Sequence, residues 1–151
     1  MSTPTDAPTS YLQIGEAADR TGLTQRTLRY YEEKGLLKPP SRMDGGFRLY
    51  SGEDVERIER IKEMRDLLGF SLAEIKEMIE ADDVRLQIRA EWRKDADAAE
   101  KAEKIQKARE ATQAQLALID NKMAMMAEMR RALAERLEKY DANLAQWRAQ
   151  S

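Results

Sequence analysis

From residue 101 to residue 151 the chain contains neither proline nor glycine, and from Leu116 onward its apolar residues step alternately by three and four. Leu116, Ile119, Met123, Met126, Leu133, Leu137, Tyr140, Leu144 and Trp147 follow this rule, with Arg130 in the one slot that an apolar residue would fill. A heptad seam sustained this far is the signature of a coiled coil. Traced backwards it passes through Thr112, Arg109, Ile105 and Ala102, where it weakens. A helix over residues 102–147 would be about 70 Å long. No other stretch of this chain is long enough to cover it. The seam therefore predicts a homodimer joined along residues 106–148, with Leu116, Ile119, Met123, Met126, Leu133, Leu137 and Tyr140 at the joint.

Composition agrees. Charged residues are 36% of the chain beside 42% apolar ones, which suits long amphipathic helices with wet polar faces. Cys and His are both 0, which excludes disulfides, thiolate or imidazole metal sites, cysteine nucleophiles and every triad that needs His. The strong motifs are not catalytic ones, so the chain reads as a non-enzyme with no cofactor and no metal. No apolar run is long enough to span a bilayer, so no membrane partner is expected. Residues 1–10 lack the basic and apolar stretches of a secretory signal; they read as a disordered tail, and the protein as cytoplasmic.

The first half carries the turn signals. Ile14, Ala17 and Ala18 have helical spacing and predict a short helix over residues 11–20. Gly22 can end it in a left-handed conformation. Thr24 can cap a second helix over residues 25–34, which Gly35 ends. Two short helices joined by a Gly-containing turn form the helix-turn-helix pattern. Next, Asp44-Gly45-Gly46 is a hairpin turn signal, followed by a short strand at Phe47-Arg48-Leu49-Tyr50. Pro39 and Pro40 confine the first arm to an edge. This small basic hairpin reads as a wing. Ser51 and Ser71 then open two capped helices. The first would turn Val55, Ile58, Ile61, Met64 and Leu68 inward and end at Gly69. The second would turn Leu72, Ile75, Met78 and Ile79 inward and run to Glu80. The fold class is mainly α: a winged helix-turn-helix head over residues 11–80, then a long dimerisation helix. Asp82-Asp83 reads as punctuation, and residues 81–105 as a helical linker and candidate effector region.

Net charge is −2, but residues 24–48 hold six basic and three acidic residues, a local +3. A nucleic-acid reader can carry such a patch on an acidic chain, because steering depends on the local field. On the second helix Arg26, Arg29, Tyr30 and Glu33 share a face, with Leu28, Tyr31 and Leu36 opposite. Arginine pairs with phosphates and can read guanine edges, and a tyrosine hydroxyl can bond a phosphate oxygen. Gln25 and Arg26 stand at the N-terminal end, the usual place for base contacts. Lys38, Arg42 and Arg48 make the wing basic. Lys62, outward on the third helix, is a further candidate.

Three stretches together carry a resemblance: Tyr11-Leu12-Gln13-Ile14-Gly15-Glu16-Ala17-Ala18; Thr27-Leu28-Arg29-Tyr30-Tyr31-Glu32 with Gly35-Leu36-Leu37; and Arg42 with Gly46-Phe47-Arg48 and Tyr50-Ser51. The chain resembles the MerR-type winged helix-turn-helix of bacterial transcription regulators over residues 11–80, and more loosely through the coiled coil. The resemblance implies a homodimer joined by an antiparallel coiled coil. Such a dimer binds double-stranded DNA at a near-palindromic operator, between promoter elements set too far apart. It distorts the DNA so that RNA polymerase, an indirect partner, engages both elements. Arg29, Tyr30, Arg42 and Arg48 match family DNA-contact positions, and Lys62 does so less closely. Two alternatives are an architectural or excision-type DNA-binding protein with no effect on polymerase, and a coiled-coil adaptor whose head binds protein.

Departures from the family narrow the signal. Its thiol-based sensors need cysteines that are absent here. Its drug-binding members carry a further domain that the few residues after Trp147 are not expected to supply. Met123, Met125, Met126 and Met129 cluster within two turns. They serve as plastic packing at the seam, or as an adaptable apolar pocket for a small-molecule effector, with Trp92 or Trp147 as a wall.

Overall fold

The computed structural model describes residues 11–38, 41–42 and 46–151. The expected tail at 1–10, the Pro39-Pro40 pair, the Asp44-Gly45 turn and the side chain of Arg42 lie outside the described residues. The elements are β1 (Leu12–Gln13), α1 (Ile14–Thr21), α2 (Gln25–Glu33), β2 (Ser41–Arg42), β3 (Arg48–Tyr50), α3 (Gly52–Asp66), α4 (Leu72–Glu91) and α5 (Ala98–Ala149). The chain divides into two units, residues 1–83 and 84–151.

In the first unit local signals set the helix ends. Thr24 accepts the Thr27 N–H at 3.1 Å and opens α2. The end of α2 is a Schellman closure: the Leu36 N–H reaches the Tyr31 carbonyl at 2.9 Å and the Gly35 N–H reaches Glu32 at 3.1 Å. Gly35 sits at φ 81°, a left-handed conformation that strains any residue with a Cβ. Reciprocal capping boxes open the next two helices. Ser51 and Asp54 bond each other's backbone N–H at 2.9 and 3.1 Å, and Ser71 and Glu74 do so at 2.8 and 3.2 Å.

Three boundaries differ from the expected ones. Residues 12–13 are not helical: Leu12 pairs with Tyr50 and Gln13 with Leu49, antiparallel, giving a three-stranded sheet in the order β1-β3-β2. α1 starts only at Ile14, where the Gln13 N–H donates to Glu16 at 3.2 Å. α3 stops at Asp66; Leu68, expected to face inward, is exposed, and Phe70 is buried. Asp82-Asp83 does not break the chain. Both carboxylates lie inside α4 and pair with α3: Arg60 grips Asp82 through two nitrogens, and Arg57 pairs with Asp83. Asp82 is buried, and a carboxylate out of water needs such partners.

The core packs Ala17 of α1, Leu28 and Tyr31 of α2, Tyr50 of β3, Ile58 and Ile61 of α3, and Ile75 and Ile79 of α4. One buried polar atom stands out. The Tyr50 hydroxyl has no hydrogen-bond partner among the described residues.

In the second unit the end of α4 leads into a turn at residues 92–97. Cations cap the turn: Lys104 Nζ donates to the Glu91 carbonyl at 2.9 Å and Lys101 Nζ to that of Lys94 at 2.7 Å. Asp97 then accepts the Glu100 N–H at 2.8 Å and opens α5. α5 has 52 residues, none of them buried. At about 1.5 Å per residue it is roughly 78 Å long. Among the described residues no helix is long and apolar enough to cross a membrane.

The orphan hydroxyl yields a prediction. Replacing Tyr50 by Phe removes a buried hydroxyl that has no partner among the described residues, and should stabilise the head by about 1 kcal/mol at neutral pH. Burial raises the Tyr50 phenol pKa above 10.0, with the Glu32 carboxylate adding to the rise. The unfolded chain therefore loses this proton first. Stability is whole below pH 10.0 and falls as pH climbs past it. Urea midpoints should favour Tyr50→Phe at pH 7 and favour it further above pH 10; a constant gap between the two proteins would contradict this origin.

Candidate nucleic-acid interface

α2 has two faces. Leu28 and Tyr31 are buried, as the helical spacing requires, and the Tyr31 hydroxyl accepts from Arg65 of α3 at 2.6 Å. Gln25, Arg26, Arg29, Tyr30 and Glu33 are exposed on the other side. Arg29 donates to Gln25 Oε1 at 3.4 Å, one turn back, which lines the two up along the helix. Lys34 Nζ stands 5.6 Å from the centre of the Tyr30 ring, within cation–π range. Lys38, beyond the helix, is exposed too. These side chains form one basic, solvent-facing strip with two forked guanidinium groups.

The other two described basic candidates have protein partners. Arg48 donates from Nε to Glu32 Oε2 at 2.9 Å, and that bond raises its pKa above the usual arginine value. Lys62 donates to the Thr21 carbonyl at 2.6 Å. Thr21 ends α1, and Gly22 follows at φ 76° with a left-handed cap. A Cβ on Gly22 would come within 3.0 Å of Lys62 Nζ, so the ammonium sits directly over the turn that joins the two helices. Arg42 lies in β2, opposite Arg48 in register.

Glu32, Arg65 and Thr21 were not singled out as site residues by sequence reasoning. Each acts through a partner 16 to 41 residues away. No local pattern marks such pairs.

In the second unit the seam residues Leu116, Met123, Met126, Leu133, Leu137 and Tyr140 are all exposed, and Ile119 is half-buried. Trp92, Met125, Met129 and Trp147 are exposed as well.

A helix-turn-helix with a small sheet at its side and a cationic strip on its second helix is a DNA-reading head. The model of the MerR HTH family regulatory proteins matches residues 12–82. The HTH-type transcriptional regulator YfmP of Bacillus subtilis is 38% identical over 114 residues, which cover 75% of this chain and 81% of that protein. The chain belongs to the MerR family of helix-turn-helix transcription regulators, DNA-binding proteins that are not enzymes. Two solved structures share its fold. A MerR family regulator from Listeria monocytogenes superposes with a TM-score of 0.59 at 24% identity, covering 92% of both chains. HiNmlR, a MerR family regulator lacking the sensor domain and solved bound to promoter DNA, gives 0.53 at 22% identity, covering 82% of this chain and 79% of its own.

The Lys62 contact is open to test. Lys62→Met keeps the aliphatic stem and removes the ammonium that caps α1. It should lower the stability of the head by about 1 kcal/mol in urea unfolding. Unchanged stability, with a flatter salt dependence of DNA binding, would instead mark Lys62 as a cation free to meet phosphate.

Proposed function

We propose that the protein works as a homodimer that binds a near-palindromic promoter operator and distorts it, acting on RNA polymerase through the DNA. The observation that carries this reading is α5, a helix of 52 residues with no buried side chain and an apolar seam along one face. Such a seam left in water costs free energy, roughly 25 cal/mol for each Å² of apolar surface that a partner could cover. A second copy carries the matching seam. Two heads on one dimer then address two half-sites, which is why the operator is expected to be near-palindromic.

On each head the DNA-facing set is Gln25, Arg26, Arg29, Tyr30 and Lys38, to which the family resemblance adds Arg42. The exposed strip of α2 supports this set. The cytoplasm, where the promoter is, is the expected compartment. Met125 and Met129 lie off the seam line, next to Met123 and Met126, and widen the apolar face there. That supports an apolar small molecule as the signal, with Trp92 or Trp147 as a wall. An architectural protein would share the head but would not set promoter spacing.

Two measurements test this reading. Placing Glu at both Met126 and Leu133 in the full chain puts like charges into the seam. Sedimentation should then report a monomer, and operator affinity should fall by about a hundredfold or more as the two half-sites are bound singly. A dimer that survives would remove the seam from the argument. For mechanism, the spacer between the two promoter elements is shortened by one or two base pairs. Bending and twisting a site of this size costs a few kcal/mol, roughly, and binding contacts must supply it. A spacer already shortened should give transcription without the protein. Continued dependence on the protein would count against distortion while leaving DNA binding intact.

A further inference from the structure

Successive side chains of a strand point to opposite faces. In β3, Tyr50 is buried at 1% exposure, and Arg48, two residues earlier, shares its face. The face is turned to α2: Arg48 Nε meets Glu32 Oε2 at 2.9 Å, with 24% of the arginine side chain and 14% of the glutamate exposed. Glu32 belongs to the last turn of α2. A charge-assisted, mostly buried hydrogen bond thus joins α2 to the wing, the two elements that the proposed reading lays on DNA. It also sets a carboxylate against the guanidinium that the wing would otherwise offer to phosphate.

The geometry points to Glu32 as a positioning residue for sequence recognition. It holds Arg48 against the recognition helix, fixes the wing to α2, and withholds that guanidinium from indiscriminate phosphate binding. The inference rests on the reading that α2 and the wing face DNA. Its physical content is a trade between two kinds of contact. Phosphate contacts position the protein on any duplex but carry no sequence information directly, whereas reading base edges depends on how firmly the reading side chains are held in place. An Arg48 released from Glu32 adds one phosphate contact to every duplex. A wing released from α2 gives up part of the register.

The test uses the full-length protein and two duplexes, one selected by it from a random pool and one of scrambled sequence. Binding to each is measured across a range of salt concentrations. The variants are Glu32→Gln, Arg48→Gln and both together; glutamine keeps the shape and removes the charge. Each phosphate neutralised steepens the slope of log K against log salt by about 0.9. Glu32→Gln should steepen the slope on the scrambled duplex by about that amount and reduce the preference for the selected duplex by about tenfold. Arg48→Gln alone should lose preference with little change in slope, because its charge is already countered by Glu32. Added to Glu32→Gln, it should return the slope to the wild-type value.

Slopes that stay constant in all three variants, with both duplexes weakened in step, would mean a merely structural pair and overturn the assignment. So would a slope flattened by Arg48→Gln in the wild-type background, since Arg48 would then already be on phosphate. If Glu32→Gln does not fold, the exchanged pair Glu32→Arg with Arg48→Glu decides: preference within about threefold of wild type supports the role, and its loss opposes it. Wild-type protein that bound neither duplex at low salt would refute the DNA reading itself. Wild-type binding with additive slopes would refute only the part given to Glu32.

Discussion

α2, the second helix of the helix-turn-helix, has nine residues, too few to be stable alone in water. Everything about the head follows from holding it. Leu28 and Tyr31 bury one face in the core, and Arg65 of α3 pins the Tyr31 hydroxyl. Glu32 ties the last turn to β3, and Lys62 of α3 closes the turn just ahead of the helix. α3 therefore contacts both helices of the helix-turn-helix through cations, while its apolar face completes the core beneath them. The opposite face of α2 is left free of packing duties, which is the condition for Gln25, Arg26, Arg29 and Tyr30 to meet a ligand.

α5 obeys the reverse logic. It is long enough to persist as a helix and has no buried face of its own. Its local support comes from the turn before it, where Asp97 caps its start and Lys101 and Lys104 reach back to carbonyls at the end of α4 and in the turn itself. Neutralising exposed carbonyls with long amphipathic side chains lets the chain turn there without a proline or a glycine. With no proline or glycine in it, the turn leaves no local signal, and residues 81–105 read from sequence as a continuous helical linker.

What could be read from sequence was what depends on near neighbours. The Thr24, Ser51 and Ser71 caps, the left-handed glycines at 22 and 35, the buried pair Leu28 and Tyr31 and the three-four seam all involve residues within a few turns of one another. Two of the misplaced boundaries have distant causes. Leu12 and Gln13 have helical spacing behind them, but their backbone bonds go to Tyr50 and Leu49. Asp82-Asp83 looks like a stop because two adjacent aspartates favour turns. Arg60 and Arg57, 22 and 26 residues back, make them good interior residues of α4 instead. The candidate site divides in the same way. Its exposed strip follows from helical periodicity, whereas the partners of Arg48 and Lys62 follow from tertiary packing that no local pattern encodes.

The same division resolves the charge of the chain. A protein with net charge −2 is an unpromising ligand for a polyanion, and a count of basic residues in the head only partly mends this. The structure sorts the cations by use. Arg57, Arg60 and Arg65 are bound to carboxylates or to Tyr31, Lys62 to a backbone carbonyl and Arg48 to Glu32, so these add little to the field that an approaching duplex meets. Arg26, Arg29, Lys34 and Lys38 stand in solvent on or just beyond one short helix. At physiological salt the field of a surface charge extends about 8 Å, so any acidic residue farther than that from the strip is largely screened from a duplex lying on it. On the proposed reading, attraction then rests on these exposed cations, and specificity depends on how firmly the paired ones hold the strip in place.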